Sequence, residues 1–153
     1  MGGEARGLDG GKWVKGRKRF ILVDTLGLLL AVKVVAANTA EKTGAQALLN
    51  KIWATYWLKE LCGRIELVWV DAGYQGDELY DWVARLTGWL WQVVKRSDDK
   101  KGFVLLPRRW VVERSFAWLS FNRRLGKDYE KLTRNSESAI YVSMLPMMLR
   151  RLN

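Results

Sequence analysis

The stretch "LVWVDAGYQG", Leu67–Gly76, decides how the fold is interpreted, because an apolar run leads directly to an acidic side chain. Four residues typical of a β-strand end at Asp71, and Ala72 and Gly73 then allow a tight exit. In open α/β sheets, functional groups lie just beyond the carboxyl ends of the strands. Asp71 is therefore a candidate functional carboxylate, and the alternative of equal weight is that it caps the turn in "DAGY".

The segments around this stretch alternate between strand-like and helix-like patterns. The runs Phe20–Val23 and Leu28–Val35 predict a β-hairpin around "DTLG", and helical spacing predicts a helix near Lys42–Leu61. The later predicted elements are a strand at 64–70, a helix at 76–88, a strand at 89–96, a polar loop at 97–102, a helix at 107–125 and a helical tail with a kink or break before Pro146. This order predicts an α/β domain with a mixed sheet flanked by helices.

Composition favours one folded domain with a real core. The chain has 153 residues, is 49% hydrophobic and contains 9 Trp, which argues against disorder. Residues 1–12 are rich in Gly and charge and are predicted to be a flexible segment before a domain at 13–153. No apolar run approaches the roughly 18 residues of a membrane-spanning helix. With the single Cys62 predicted to be a small buried hydrophobe, a cytoplasmic protein fits.

The charge balance points to a polyanionic partner, most commonly nucleic acid. The chain carries 26 Lys and Arg against 16 Asp and Glu, a formal net charge of +10. Basic residues cluster in 12–19, in 108–127 and in 95–101, either as a solvated face or as phosphate contacts. The absence of His excludes catalytic triads with a His base and His-bound zinc. Four tryptophans fall at apolar positions and are predicted to be core residues rather than base-stacking platforms: Trp89, Trp91, Trp110 and Trp118.

Glu113 is the second candidate carboxylate. It lies in "RRWVVERSFAWL" on the apolar side of a helical pattern, where an unpaired carboxylate is costly and calls for a cation or a metal. The simpler interpretation is a surface pair with Arg109, one helical turn earlier. Asp71 and Glu113 together would suit Mg²⁺ or Mn²⁺, which activate water in phosphodiester cleavage.

Three segments carry a resemblance to a known family: "GGKWVKGRKRFILVDTLGLLLAVKVVAAN", "VWVDAGYQG" and "RRWVVERSFAWLSFNRRLGKDYE". They closely resemble bacterial insertion-sequence transposases of the DDE class, in the group named after insertion sequence five. The resemblance extends from about Gly3 to Leu149. It implies a ribonuclease H-like fold and an Asp-Asp-Glu triad that uses two Mg²⁺ ions to cut and join DNA.

By this resemblance, Asp71 matches the second triad aspartate and Glu113 the triad glutamate, so both are expected to be catalytic metal ligands. Three residues depart from the family pattern. Phe20 stands where relatives usually have His, Leu106 where they often have Tyr, and Ser120 where some relatives have Lys. The expected partner is DNA at element ends and target, without a membrane. The residues expected to contact it are Lys15, Arg17, Lys18, Arg19, Arg109, Arg114, Arg123, Arg124 and Lys127.

The first triad aspartate has no match in this sequence. In the family it lies on a strand upstream of the "GRKR" segment, and neither Asp9 in "LDGGK" nor Asp24 in the hairpin turn replaces it. We therefore expect a truncated transposase that lacks the first strand, binds metal weakly and is inactive alone. The alternatives are a non-catalytic DNA-binding or dimerising remnant, which would modulate full-length transposase, and a degraded product without a stable fold.

Overall fold

The computed structural model describes residues 5–94 and 107–152, without the side chains of 107–109 and 152. The strands are β1 (Gly7–Asp9), β2 (Val14–Val23), β3 (Leu29–Ala36), β4 (Leu67–Val70) and β5 (Leu90–Val93). The helices are α1 (Glu41–Ala54), α2 (Tyr56–Cys62), α3 (Asp77–Thr87), α4 (Pro107–Phe121) and α5 (Thr133–Leu152), with short 3-10 turns at Ala72–Tyr74 and Arg123–Leu125. No helix in these ranges is long and apolar enough to cross a membrane. The α/β class is confirmed.

The helices differ from the prediction in their boundaries. The predicted helix at 42–61 is divided in two, because Thr55 adopts an extended backbone conformation at φ −114° and ψ 108°. Ala40, rather than Thr39 or Thr43, precedes the first helix. Helix α5 continues through Pro146, so the alternative of a break at this residue is wrong. The predicted loop at 97–102 lies outside the described residues.

The N-terminal segment belongs to the fold from Gly7 onward. Strand β1 pairs antiparallel with the start of β2, from Gly7 opposite Gly16 to Asp9 opposite Val14. The Asp9 Oδ1 accepts hydrogen bonds from the backbone N–H groups of Gly11 and Lys12, which forms the connecting turn. Residues 7–12 of the segment predicted to be flexible thus form a short strand and a turn.

The strands form two sheets within the described residues rather than the single mixed sheet that was predicted. Strands β1, β2 and β3 form an antiparallel sheet in that order, and β4 pairs only with β5, in parallel. The hairpin turn between β2 and β3 is stabilised by Asp24, whose Oδ1 accepts hydrogen bonds from the N–H groups of Leu26 and Leu28. The structural role expected for Asp24 is thus confirmed.

Two hydrophobic clusters lie on opposite faces of the β2–β3 hairpin, because successive strand residues point to opposite faces. The first cluster joins Phe20 and Leu22 to the helices α1 to α3 and contains Cys62, which is fully buried as expected. The second cluster joins Val32 and Val34 to α4 and α5. The hairpin is therefore the middle layer between two helical layers.

The outer edge of β3 is closed by side chains instead of another strand. The N–H of Val34 donates to Glu137 Oε1 at 2.9 Å, and the N–H of Val32 donates to the Tyr141 hydroxyl at 3.1 Å. Lys51 Nζ donates both to the carbonyl of Val32 at 2.9 Å and to Glu137 Oε2 at 2.6 Å. These contacts satisfy backbone groups that would otherwise be an unpaired strand edge.

The substitution Glu137→Ala tests this edge closure. The Glu137 side chain is only 8% exposed and also pairs with Lys33, so its removal leaves two ammonium groups and the Val34 N–H without their acceptor. We expect the free energy of unfolding to fall by about 3 kcal/mol, measured by urea denaturation. The exposed neighbour variant Ser138→Ala is the control and should stay within about 0.5 kcal/mol. A loss below about 1 kcal/mol for Glu137→Ala would contradict the closure.

Candidate active site

A cavity of about 730 Å³ lies between the hairpin and the β4–β5 sheet. Its sides are formed by β2, from Phe20 to Val23, and by β4 with the residues just before it. Helix α1 contributes Ala45, Leu48 and Leu49, and helix α4 contributes Val111, Val112, Glu113 and Phe116. The two candidate carboxylates line this one cavity, Asp71 at the end of β4 and Glu113 on α4.

Asp71 occupies the position that the sequence predicts, directly after the last residue of β4. Its Oδ1 accepts a hydrogen bond from the N–H of Gly73 at 2.9 Å, so the turn-capping interpretation describes one of its oxygens correctly. The side chain is exposed. The capping bond orients the carboxylate at the rim of the cavity and leaves its second oxygen for another ligand.

Tyr74 fixes the turn that follows Asp71. Its hydroxyl donates to Glu41 Oε2 at 3.3 Å, and Glu41 Oε1 accepts from Lys18 Nζ at 3.1 Å. Burial raises the pKa of the Tyr74 hydroxyl far above its usual range, and the nearby charges of Glu41 and Asp71 raise the pKa further. The hydroxyl thus stays protonated and holds the turn against the start of α1.

Glu113 is exposed, so the expectation that it lies on a buried helix face is wrong. The cost of burying an unpaired carboxylate therefore provides no argument for a metal at this position. What the structure does show is that Glu113 borders the same cavity as Asp71, beside Val112 and Phe116 of the same helix. The position of Glu113 depends on how α4 is attached to the hairpin.

Helix α4 is attached to the hairpin turn by the two residues that follow Glu113. Arg114 Nη2 donates to the carbonyl of Leu26 at 2.8 Å, and the buried Ser115 hydroxyl donates to the carbonyl of Gly27 at 2.8 Å. The Arg114 guanidinium also lies 4.8 Å from the ring of Trp110 and 4.9 Å from the ring of Trp118. These contacts fix the rotation of the helix and hence the direction of Glu113.

The prediction that four tryptophans are core residues is only partly correct. Trp89 is buried at 3% exposure, as expected for a core residue, whereas Trp110 is 41% exposed. Trp91 and Trp118 are half-buried, and the Arg151 guanidinium also lies over the Trp118 ring, at 4.3 Å from its centroid. The spacing of four residues between Trp110, Arg114 and Trp118 is the signal from which this stack could have been predicted.

The chemistry of a divalent cation fits two carboxylates, since Mg²⁺ is usually held by one or two carboxylates together with water and phosphate oxygens. Within residues 5–94 and 107–152 there is no group of three His, Cys, Asp or Glu side chains that could hold a metal. The carboxylates of Asp24 and Glu66 also line the cavity, and Asp24 Oδ1 accepts from two backbone amides of the hairpin turn. Of the four carboxylates that line the cavity, Asp71 and Glu113 are the two that the sequence predicts as metal ligands.

Several predicted DNA-contacting cations have internal partners. The Arg17 side chain is 2% exposed and donates to Asp128 Oδ2 at 2.9 Å and to the carbonyls of Glu130 and Lys131. Arg19 donates to the carbonyl of Leu125 at 2.9 Å, and burial lowers the pKa of its guanidinium against the opposing effect of Asp128. These two arginines attach the 125–131 segment to β2.

The remaining predicted cations differ in their accessibility. Lys18 binds Glu41, and Arg124 pairs with Glu130 while its guanidinium lies 5.3 Å from the Tyr129 ring. Lys15, Arg123 and Lys127 are exposed. The side chain of Arg109 lies outside the described residues. Alternation along β2 turns the Arg17 and Arg19 side chains to the same face, toward the 125–131 segment. The sequence alone did not predict this use of the two arginines.

Gly27→Ala tests the attachment of α4. Gly27 has φ +81°, and a Cβ atom there would lie 2.8 Å from Ser115 Oγ and 3.1 Å from the Trp118 ring. The left-handed conformation alone costs about 1–2 kcal/mol, and the close contacts add to it. We therefore expect a lower melting temperature in thermal unfolding. Gly10→Ala is the matched control, because nothing lies within 4 Å of its added Cβ. Equal effects of the two substitutions would contradict the proposed tight contact.

Comparison with known proteins shows which family this chain is similar to. The chain is 32% identical over 117 residues to a Burkholderia cepacia protein described as a candidate transposase for insertion sequence element IS402. This match includes 76% of the present chain and 54% of the relative, so the chain spans about half the length of that relative. No solved structure matches the chain.

A family model described as the transposase DDE domain matches residues 2–145. This range includes β2 and β3, Asp71 at the end of β4, the whole of α4 with Glu113, and the first part of α5. The match therefore includes nearly the whole chain and both candidate carboxylates. The chain belongs to the transposase DDE domain family of insertion-sequence transposases.

Proposed function

We propose that this chain takes part in DNA transposition as part of a ribonuclease H-like catalytic core that cleaves and joins DNA strands. The supporting observation is that Asp71 and Glu113 line one cavity. They lie 42 positions apart in the sequence (113 − 71) and belong to different elements. A polyanionic substrate also agrees with the formal net charge of +10.

Asp71 and Glu113 would hold a divalent cation, Mg²⁺ or Mn²⁺, and an intact family site would hold two. When bound, such ions activate a water or hydroxyl nucleophile and stabilise the leaving oxygen of a phosphodiester. The contribution of this chain is to orient the two carboxylates. Asp71 is oriented by the capping bond from Gly73, and Glu113 by the attachment of α4 to the hairpin turn.

The 153-residue chain alone is proposed to be inactive. Two carboxylates are fewer than the three that the triad chemistry requires, and by the family resemblance neither Asp9 nor Asp24 takes the place of the first triad aspartate. The same resemblance implies that the third carboxylate comes from a strand outside these 153 residues. The proposed activity is therefore that of an assembled catalytic core.

Mn²⁺ titration tests the two proposed ligands. The purified chain should bind Mn²⁺ weakly in electron paramagnetic resonance titrations, and Asp71→Asn and Glu113→Gln should each weaken binding at least tenfold. The matched control is Asp81→Asn, which removes one exposed carboxylate from α3, away from the cavity lining. Equal losses for Asp81→Asn and Asp71→Asn would show non-specific charge effects and contradict the site.

The same preparations should leave supercoiled plasmid uncut in Mg²⁺. Nicking by the 153-residue chain that disappears in the Asp71→Ala variant would refute the proposed inactivity while supporting the role of Asp71. Absence of both nicking and site-dependent Mn²⁺ binding would remove the support for a catalytic role.

A non-catalytic DNA-binding role is the second candidate function, and it too is compatible with partnership with a longer transposase or a second copy. It is supported by the exposed cations Lys15, Arg123 and Lys127, which we call the basic surface. Arg17 and Arg19 bring β2 and the 125–131 segment together, so the three cations belong to neighbouring parts of the molecule. Contacts of this kind with phosphates provide affinity without sequence preference.

DNA affinity measured at several salt concentrations tests the basic surface. Replacing Lys15, Arg123 and Lys127 together by alanine should weaken binding and reduce the slope of log K against log salt by about 2.7, which corresponds to three lost phosphate contacts. The matched control replaces Lys42, Lys59 and Arg85, which are also exposed and do not line the cavity, by alanine. If both triple variants change the slope equally, binding follows net charge and not the proposed surface.

A further inference from the structure

The backbone of β2 presents hydrogen-bonding groups toward the cavity that pair with no strand among the described residues. Gly16 accepts a hydrogen bond from Ala37 on the β3 side, and alternation along an antiparallel pair then turns the N–H and C=O groups of Arg19 and Ile21 away from β3. Strand β1 occupies this outer edge only from Val14 to Gly16. No strand among the described residues pairs with the edge from Lys18 to Val23.

The backbone of β4 has a matching arrangement. Leu90 and Val94 donate to the carbonyls of Glu66 and Val70, so these alternate residues face β5. In a parallel pair every second residue faces the same neighbour, so Leu67, directly after Glu66, directs its N–H and C=O away from β5. The cavity lies on that side of β4. The cavity is therefore bordered by one edge of each sheet with which no described strand pairs.

The two edges run in opposite directions. Tyr74, just after the end of β4, binds Glu41, which in turn binds Lys18 in the first half of β2. The end of β4 is thus beside the first half of β2, and Ile65, before β4, shares the cavity with Val23. A strand placed between them would be parallel to one and antiparallel to the other, which would join the two sheets into one mixed sheet.

The other two walls are apolar and belong to opposite helical layers. Ala45, Leu48 and Leu49 of α1 lie on one side, and Val111 and Val112 of α4 on the other. Both faces of an inserted strand would therefore be covered, which requires a continuous apolar run. The indole N–H of Trp91, which also lines the cavity, is buried and has no hydrogen-bond partner within the described part of the chain.

The volume fits a short strand. A strand residue in a packed sheet occupies about 160 Å³, from a rise of about 3.3 Å, a strand spacing of about 4.8 Å and a layer thickness of about 10 Å. The cavity volume of about 730 Å³ therefore corresponds to about five residues. The β2 edge from Lys18 to Val23 has a comparable length.

We propose that this cavity, called the strand slot from here on, accepts in trans an extended apolar segment of a separate transposase polypeptide. The segment pairs with Arg19 and Ile21 on one side and with Leu67 on the other. This inference rests on the proposed function for the choice of partner, but binding of the segment requires neither metal nor DNA. Completion of the sheet by a second polypeptide would make assembly a condition for activity.

No described strand of a second copy of this chain fits as the occupant. An inserted strand must have both edges available, because it pairs with β2 and β4 at once. Each of the five described strands already pairs with a neighbour on at least one edge. The occupant is therefore a segment that is unpaired before it binds.

The Burkholderia cepacia relative indicates where such a segment is to be found. The match includes 54% of that protein, which leaves 46% (100 − 54) outside it. The probes are accordingly overlapping 12-residue peptides that represent this remaining part of the relative. They are titrated against the full 153-residue chain in EDTA, so that metal binding cannot contribute.

We expect one contiguous window of peptides with an uninterrupted apolar run to bind and to slow hydrogen exchange at the amides of Ile21 and Leu67. N-methylation of alternate residues in the bound peptide should weaken affinity at least tenfold, because it removes donors from one edge. Val112→Trp, which fills the slot, should weaken binding at least tenfold, whereas Val142→Trp on the exposed part of α5 should change it less than twofold.

Three results would overturn the proposal: no binding window up to about 1 mM peptide, binding without exchange protection at Ile21 and Leu67, or protection of both amides in the chain alone through self-association. The N-methylated peptides test the unmodified chain, so the result does not depend on the folding of Val112→Trp. Peptide binding without any metal-dependent nicking of the complex would uphold the strand slot and contradict the catalytic function.

Discussion

The pairing of backbone groups in buried strands is the constraint on which this structure depends, since an unpaired amide away from water costs free energy. At the outer edge of β3, Glu137 and Tyr141 accept from two backbone amides, and Lys51 donates to the carbonyl between them. These contacts occupy the outer edge of β3 and attach α5 to the hairpin. Among residues 5–94 and 107–151, no side chain closes the opposite edge, along β2, between Arg19 and Ile21. This difference between the two edges is the reason for interpreting the cavity as a binding site for a strand.

The hairpin turn organises the candidate site. Its carbonyls at Leu26 and Gly27 receive Arg114 and Ser115, so the helix that carries Glu113 is positioned by the backbone of a turn. Asp71 is positioned by a separate turn at the end of β4. The two carboxylates thus depend on different elements, and their separation responds to any movement of one sheet against the other. A strand between the sheets would restrict that movement.

Patterns within single elements were predictable from the sequence. The hairpin, the strand before Asp71 and the helix with Glu113 follow from alternation, turn residues and helical spacing. The helix boundary at Thr55 was not predictable, because the backbone there is extended in spite of continuous helical periodicity on both sides. The division into two sheets was also not predictable, because pairing between distant strands leaves little trace in local sequence.

The basic residues of β2 show how charge alone misleads. Read along the sequence, Arg17 and Arg19 are indistinguishable from phosphate contacts, yet both donate to backbone carbonyls of the 125–131 segment. Only the tertiary fold reveals this, because the acceptors lie more than 100 positions away. Lys15 and Lys127 remain on the surface. Fewer basic side chains are therefore accessible to a polyanion than the sequence suggests.

Cys62 gives the first hydrophobic cluster a built-in chemical reporter. It is the single cysteine of the chain and lies fully buried at the end of α2, and burial raises the pKa of its thiol. A thiolate-directed reagent therefore reacts only when this cluster opens. The alkylation rate of native protein consequently measures the opening equilibrium of the α1–α3 layer at one known atom, without an introduced label.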